Sequence, residues 1–153
     1  MSAPTIRAAT VDDAERISEL IVTLGSKYIT PGFSAEGRRR FLSDHTQVSI
    51  TSRIMGEYQY HVAESEDELV GVVGMRNPSH LYHLFVDDRY QRQGLGRRLW
   101  EHAKTAAGNP ALVTVNSSLN AVAVYEHLGF VVAGPTRNVY EVLFVPMRWR
   151  AES

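Results

Sequence analysis

The residues of this chain whose types and spacing best fit chemistry form the loop Gln91-Arg92-Gln93-Gly94-Leu95-Gly96. An apolar strand, HLYHLFV (His80–Val86), precedes it after a short charged turn. A helix follows, with Leu95, Leu99, Ala103 and Ala107 at four-residue spacing and Arg97, Arg98, Glu101, Lys104 and Thr105 on the other side. A loop between a strand and a helix N-terminus presents backbone N–H groups that the helix cannot satisfy, and the helix dipole adds partial positive charge there. The arrangement describes an anion cradle. Gly94 and Gly96 leave no Cβ in the way of a ligand, and Arg92, Arg97 and Arg98 supply cations nearby. The loop carries neither the P-loop pattern of nucleoside triphosphatases nor the three-glycine dinucleotide fingerprint, so readings through those ligands start weak. The plainer alternative is a two-glycine turn beside solvated arginines.

The elements that must position this loop can be read in chain order. Residues 5–9 form a short first strand. Thr10 and Asp13 stand in capping-box positions ahead of a helix with Ala14, Ile17, Ile21 and Leu24 on one face, stopped at Gly25. Pro31-Gly32 marks a turn, a second helix covers 34–42, and a third, short one covers about 46–55. The triplet Arg38-Arg39-Arg40 is shorter than a basic tract and reads as a solvated helix face. Strands at 58–63 and 69–75 form a hairpin around Glu64-Ser65-Glu66-Asp67-Glu68, and Asn77-Pro78 turns the chain into the His80–Val86 strand. After the break Gly108-Asn109-Pro110, ALVTVN (111–116) is a buried strand, so strand, helix and strand make a right-handed βαβ unit with parallel strands. A last helix covers 120–128, with Ala121, Val124, Tyr125 and Leu128 on one face, and ends at Gly129. Segments 130–133 and 139–145 close the chain as a pair around Gly134-Pro135. The fold class is α/β (α+β): a mixed, mostly antiparallel sheet of about six to seven strands, with a central βαβ unit and about four helices.

A chain of 153 residues without repeats or linkers reads as one domain over 1–153, long enough for one sizeable core. Its net charge of −1 gives no global case for nucleic acid or an anionic membrane surface. The absence of cysteine removes disulfides, thiolate nucleophiles and zinc–thiolate sites, and the six histidines show no ligand-like spacing with carboxylates, so no metal is expected. No signal-peptide segment opens the sequence and no apolar run approaches membrane-spanning length, so a cytoplasmic protein is expected.

A second stretch, VNSSLNAVAVYEHLGF (115–130), places Tyr125, Gly129 and Phe130 after a strand and helix. Together with Gln91, Gly94 and Gly96 in the loop, it resembles the Gcn5-related N-acetyltransferase (GNAT) superfamily, whose signatures are a Q/R-x-x-G-x-G/A loop and a helix ending in Y-x-x-x-G-F. The resemblance covers most of the chain. It departs at one position: many members carry Asn seven residues before the tyrosine, where this chain has Ser118 flanked by Asn116 and Asn120.

The resemblance implies an N-acetyltransferase that uses acetyl-CoA as co-substrate and acts on a primary amine of a small molecule or peptide. Gln91, Arg92, Gln93, Gly94, Leu95, Gly96 and Arg97 would hold the pyrophosphate. The backbone of Leu84, Phe85 and Val86 would pair with the pantetheine arm like an added strand and stabilise the acetyl carbonyl. Asn116 or Asn120 would add a cofactor contact. Tyr125 stands where the family has the acid that protonates the leaving thiolate, whereas the residues alone favour a core aromatic. His80 and His83 are the candidate bases, on opposite faces of their strand, with Tyr28 and Glu64 weaker. The acceptor would be shaped by 28–40 and by 138–144. A CoA-binding or sensor module without catalysis is the alternative, tested by whether CoA is released in the presence of amines. The final strand offers an edge able to pair in a homodimer.

Overall fold

The computed structural model describes residues 3–76 and 78–152. Asn77, assigned with Pro78 to the turn before His80, lies outside them. Eight strands form the sheet: β1 (Thr5–Ala8), β2 (Tyr58–Ser65), β3 (Glu68–Arg76), β4 (His80–Val86), β5 (Leu112–Ser117), β6 (Val131–Val132), β7 (Arg137–Val139) and β8 (Val142–Arg150). They lie in the order β1-β2-β3-β4-β5-β8-β6, with β7 on β8. All neighbours are antiparallel except β4 and β5. Five helices complete the fold: α1 (Ala14–Tyr28), α2 (Ala35–Asp44), α3 (Gln47–Met55), α4 (Leu95–Ala106) and α5 (Val122–His127). No helix among the described residues is long and apolar enough to cross a membrane.

The alternation of side chains along β2 and β3 supplies two cores. Val62 and Val72 face α1, α2 and α3, meeting Ile17, Ile21, Phe41 and Ile50. Ala63 and Val73 face α4 and join Leu95, Leu99, Trp100 and Ala103, and that cluster continues to Tyr125 and Phe130. Trp100 fills the centre of it, with its ring 5.1 Å from Phe130 and 5.6 Å from Trp149.

Several elements differ from the sequence reading. The expected 139–145 strand is broken by Tyr140 and Glu141, both at positive φ, which make a two-residue turn with Val139 paired to Val142. This divides one strand into β7 and β8 and raises the count to eight. Far from being a free edge, β8 is interior, paired with β5 along 145–150 and with β6 at Arg148 and Met147. α1 runs through Gly25 to Tyr28, because the Phe41 ring packs where a Cβ would stand, 2.1 Å from it. The glycine serves helix packing and not termination. Arg40 leaves the solvated face and lies over the Tyr140 ring, 4.6 Å from its centroid.

The start of α1 is tied to the sheet by one buried carboxylate. Asp13 accepts from both guanidinium nitrogens of Arg7 at 2.8 Å, from the Thr10 N–H at 2.8 Å and from Arg16 at 2.9 Å. The Arg7 hydrogen bonds, despite the opposing effect of burial, hold its carboxyl well below the usual carboxylate range. A lowered folded-state pKa contributes stability above about pH 4 that is lost as pH falls toward that lowered value. Asp13→Asn keeps the shape and leaves Arg7 and Arg16 poorly paired, at an expected cost of about 1–3 kcal/mol. Urea unfolding at neutral pH measures the loss, and the gap from the parent protein should narrow under acid conditions.

Candidate functional site

β4 and β5 are hydrogen-bonded neighbours only where the start of β4 meets the middle of β5, His80 pairing with Thr114 and Leu81 with Val115. β5 then stays with β8, while β4 stays with β3 as far as Val86 opposite Gly71. A bulge in β4, between Leu81 and His83, inserts Tyr82 at the point of divergence. The two parallel strands therefore part, and the backbone of Leu84, Phe85 and Val86 that faces β5 has no strand partner. A cavity of about 610 Å³ occupies this opening.

One end of the cavity is the glycine loop. Gln91, Arg92 and Gly96 line it, and the Gln91 side chain donates to Val86 O at 3.0 Å, tying the loop to the end of β4. Gly94 caps α4 at φ +81°, a conformation that glycine adopts without strain. The first bond of the helix runs from Arg98 N–H to Gly94 O, so the N–H groups of Leu95, Gly96 and Arg97 precede the ladder. A Cβ on Gly96 would meet nothing closer than Val86 Cγ2 at 3.9 Å, and one on Gly94 would meet nothing within 4 Å. The protein's own packing thus does not need a glycine at position 96. The open space beside bare N–H groups at a helix N-terminus fits a phosphate-bearing ligand.

The remaining sequence-selected residues divide by position. Asn116, Asn120 and Tyr125 line the cavity, as does Ser118, which donates from its hydroxyl to Asn120 Oδ1 at 2.8 Å. Gln93, Leu95 and Arg97 are not among its lining residues: Gln93 donates to Arg89 O, Leu95 is buried in the α4 core, and Arg97 donates to His127 O. Gly94 and Arg97 instead border a second, open hollow with Pro4 and Thr5. Val124, expected in the core, is 54% exposed and lines the cavity wall. Tyr125 is buried edge-on to Phe130, with ring centroids 5.6 Å apart, and its hydroxyl has no hydrogen-bond partner among the described residues. Burial pushes its pKa up, so it holds its proton at neutral pH.

The two candidate bases have different surroundings. His80 is away from the cavity, its Nδ1 2.8 Å from Thr114 Oγ1. His83 is at the cavity wall, 4% exposed, with both ring nitrogens engaged. Its partners fix the tautomers. Phe41 O can only accept, so His45 Nδ1 carries a proton and donates at 2.6 Å. With His45 neutral, its Nε2 accepts from His83 Nε2–H at 3.0 Å, and His83 Nδ1 accepts from the Tyr60 hydroxyl at 2.9 Å. One directional chain runs from Tyr60 to the α2 backbone. Burial, followed by the neighbouring His45 and Arg53, lowers the His83 pKa well below its ordinary value, and burial lowers that of His45. The sequence offered no sign of His45, whose partner is 38 residues away. Other lining residues that sequence reasoning missed are Leu24, Phe41 and Asp44.

A split parallel strand pair, with a glycine loop at the mouth and a helix N-terminus beside it, defines a class of mixed α/β acyl-transfer folds. The chain belongs to the acetyltransferase (GNAT) domain family, whose sequence profile matches residues 29–151. Ribosomal protein bS18-alanine N-acetyltransferase of Escherichia coli K12 is 42% identical over 65 residues, a stretch that covers 39% of this chain and 44% of that protein. The chain thus aligns with less than half the length of this curated relative. Among solved structures, a GCN5-related N-acetyltransferase from Rhodopseudomonas palustris superposes with a TM-score of 0.84 at 20% identity, covering 99% of this chain and 98% of the other. PaiA N-acetyltransferase of Thermoplasma acidophilum, in complex with coenzyme A, gives 0.79 at 16% identity, covering 99% and 100%. These two likenesses establish the fold.

The neutral histidine chain makes stability depend on pH. Below about pH 6.5 the unfolded chain binds protons that the folded chain excludes, so stability present above that value falls as the solution is acidified. Chemical denaturation at about pH 8 and about pH 5 should show this loss, and His83→Gln should make it shallower. Equal losses in both proteins would assign the effect to other groups.

Proposed function

We propose that the protein is an acetyl-CoA-dependent N-acetyltransferase that moves an acetyl group to a primary amine by direct attack on the thioester. The observation that carries this reading is the continuity of one cavity from the glycine loop, along the unpaired flank of β4, to Tyr125. Support for the acceptor type comes from the Escherichia coli relative, named for acetylating an alanine, and support for the cofactor from the coenzyme A complex of the Thermoplasma neighbour.

Coenzyme A brings an acyl group activated as a thioester, and the chain supplies the rest. N–H groups at the start of α4 and the Arg92 side chain hold the pyrophosphate, with Asn116 or Asn120 as a further contact. The backbone of Leu84, Phe85 and Val86 pairs with the pantetheine arm, and an N–H there stabilises charge on the carbonyl oxygen. The amine nitrogen bonds to the acetyl carbon, the carbon–sulfur bond breaks, and the Tyr125 hydroxyl gives its proton to the sulfur. The proton lost by nitrogen passes to cavity water and restores the tyrosine. Of the two strand histidines His83 is the one at the cavity wall, but with its Nδ1 accepting from Tyr60 and burial holding its pKa down it stays neutral, so water and not this imidazole carries the proton in this reading. A binding module without catalysis would give no reason for a Tyr125 hydroxyl left without a partner among the described residues at the cavity wall.

Acetyl-CoA at about 100 times its Kd should stabilise the fold by about 2.7 kcal/mol, raising Tm by about 5–10 °C for a domain of this size. Gly96→Asp sets bulk and negative charge in the cradle and should abolish the rise; a rise undiminished in that variant would move the phosphate site elsewhere. In steady-state assays of CoA release, Tyr125→Phe should lower kcat by about 100-fold or more with acetyl-CoA affinity nearly unchanged. Full activity would reduce Tyr125 to packing.

A further inference from the structure

The part of the cavity built by α1, α2 and the β7–β8 turn has a chemistry unlike that of the glycine loop. Its walls are mostly apolar, with Leu24, Ile29, Phe33, Phe41, Leu143 and Phe144, and Tyr28 and His45 are their polar members. Among the described lining residues Asp44 is the one carboxylate. It makes no hydrogen bond and no ion pair with any described residue, in contrast to Asp88, which is held by Lys27 at 2.6 Å and by the Tyr28 hydroxyl at 2.7 Å. Asp44 is also the last residue of α2, where the negative end of the helix dipole disfavours a carboxylate. The fold gains nothing visible from this charge. A half-buried, unpaired carboxylate in a mostly apolar compartment is a receptor for one cation.

Beside the compartment, α2 and the β7–β8 turn are fastened together. Glu141 O lies 2.2 Å from where a Cβ on Gly37 would stand, so the β7–β8 turn sits directly on α2 and only glycine permits the contact. Arg40 over the Tyr140 ring fastens the same turn. A peptide crossing between α2 and the turn would have to break both contacts. A polycation would bring further charges into apolar walls with no second carboxylate to meet them.

We propose that the acceptor is a small primary amine with a single positive charge and an aromatic or branched aliphatic body, drawn in by Asp44. The proposal rests on the acetyltransferase reading for what becomes of the amine, but the binding preference can be measured without it. Calorimetric titration of the protein, alone and with CoA, uses phenethylamine, spermidine and a short alanine-first peptide as probes. Phenethylamine should bind at least about tenfold more tightly than either competitor, and Asp44→Asn should weaken it by about tenfold. Tm of Asp44→Asn should be unchanged or slightly higher, since the variant removes an unfavourable end charge. Preference for spermidine or the peptide, equal binding of phenethylamine by both proteins, or no binding of any probe would overturn the inference. Loss of CoA-induced stabilisation with amine preference intact would instead overturn the acetyltransferase reading and leave the compartment's selectivity standing.

Discussion

The structure depends on β4 and β5 parting after two paired residues. Parallel strands normally stay paired along their length because each backbone group left without a partner is costly when buried. Here each strand has a stronger commitment on its other side. β4 is held to β3 down to Val86, and β5 is held to β8 along its whole length. The bulge at Tyr82 turns β4 as the two diverge. α4 leaves from the glycine loop beyond β4 and α5 follows β5, so the opening receives a helix N-terminus on one side and Tyr125 on the other. Cofactor recognition and acid catalysis, as proposed, are both consequences of where those strands separate.

Much of this was legible in the chain because it is encoded locally. The apolar run His80–Val86 and the four-residue spacing of Leu95, Leu99 and Ala103 place β4, the loop and α4 with accurate boundaries. The family signatures then point to Tyr125 and the asparagines beside it. What could not be read depends on contacts between distant segments. Gly25 resembles a helix stop until Phe41 is found against it, and Arg38-Arg39-Arg40 looks like a solvent face until Tyr140 arrives over Arg40. Tyr140-Glu141 carries none of the residues usual in a two-residue hairpin turn, so one strand was expected where two occur. Asp44 and His45, at the end of α2, acquire meaning only from β4 and β8.

The cavity combines a rigid part with a bare part. His83, His45 and Tyr60 satisfy one another and the α2 backbone, and their burial keeps both imidazoles uncharged. A fully paired polar chain of this kind anchors α2 to the centre of the sheet and so fixes the distance between the α2 and β4 walls. Against it stand groups with no internal partner: the Tyr125 hydroxyl, the Asp44 carboxylate and the first N–H groups of α4. In the reading proposed above, these unpaired atoms are where a guest completes the hydrogen bonding.

The parted flank of β4 has a further consequence in terms of solubility. Any strand with unpaired N–H and C=O groups is an edge on which another chain can pair, and proteins usually keep such edges short, charged or covered. Here an edge lies in the middle of the sheet, with β5 and α5 on one side and the α4 loop at its end, inside a cleft of about 610 Å³. The flanking strand, helix and loop cover that edge against a second chain approaching from the side. In the acetyl-CoA reading proposed above, the same cover leaves room for a thin, unbranched, amide-bearing arm, so that an aggregation hazard becomes a binding surface.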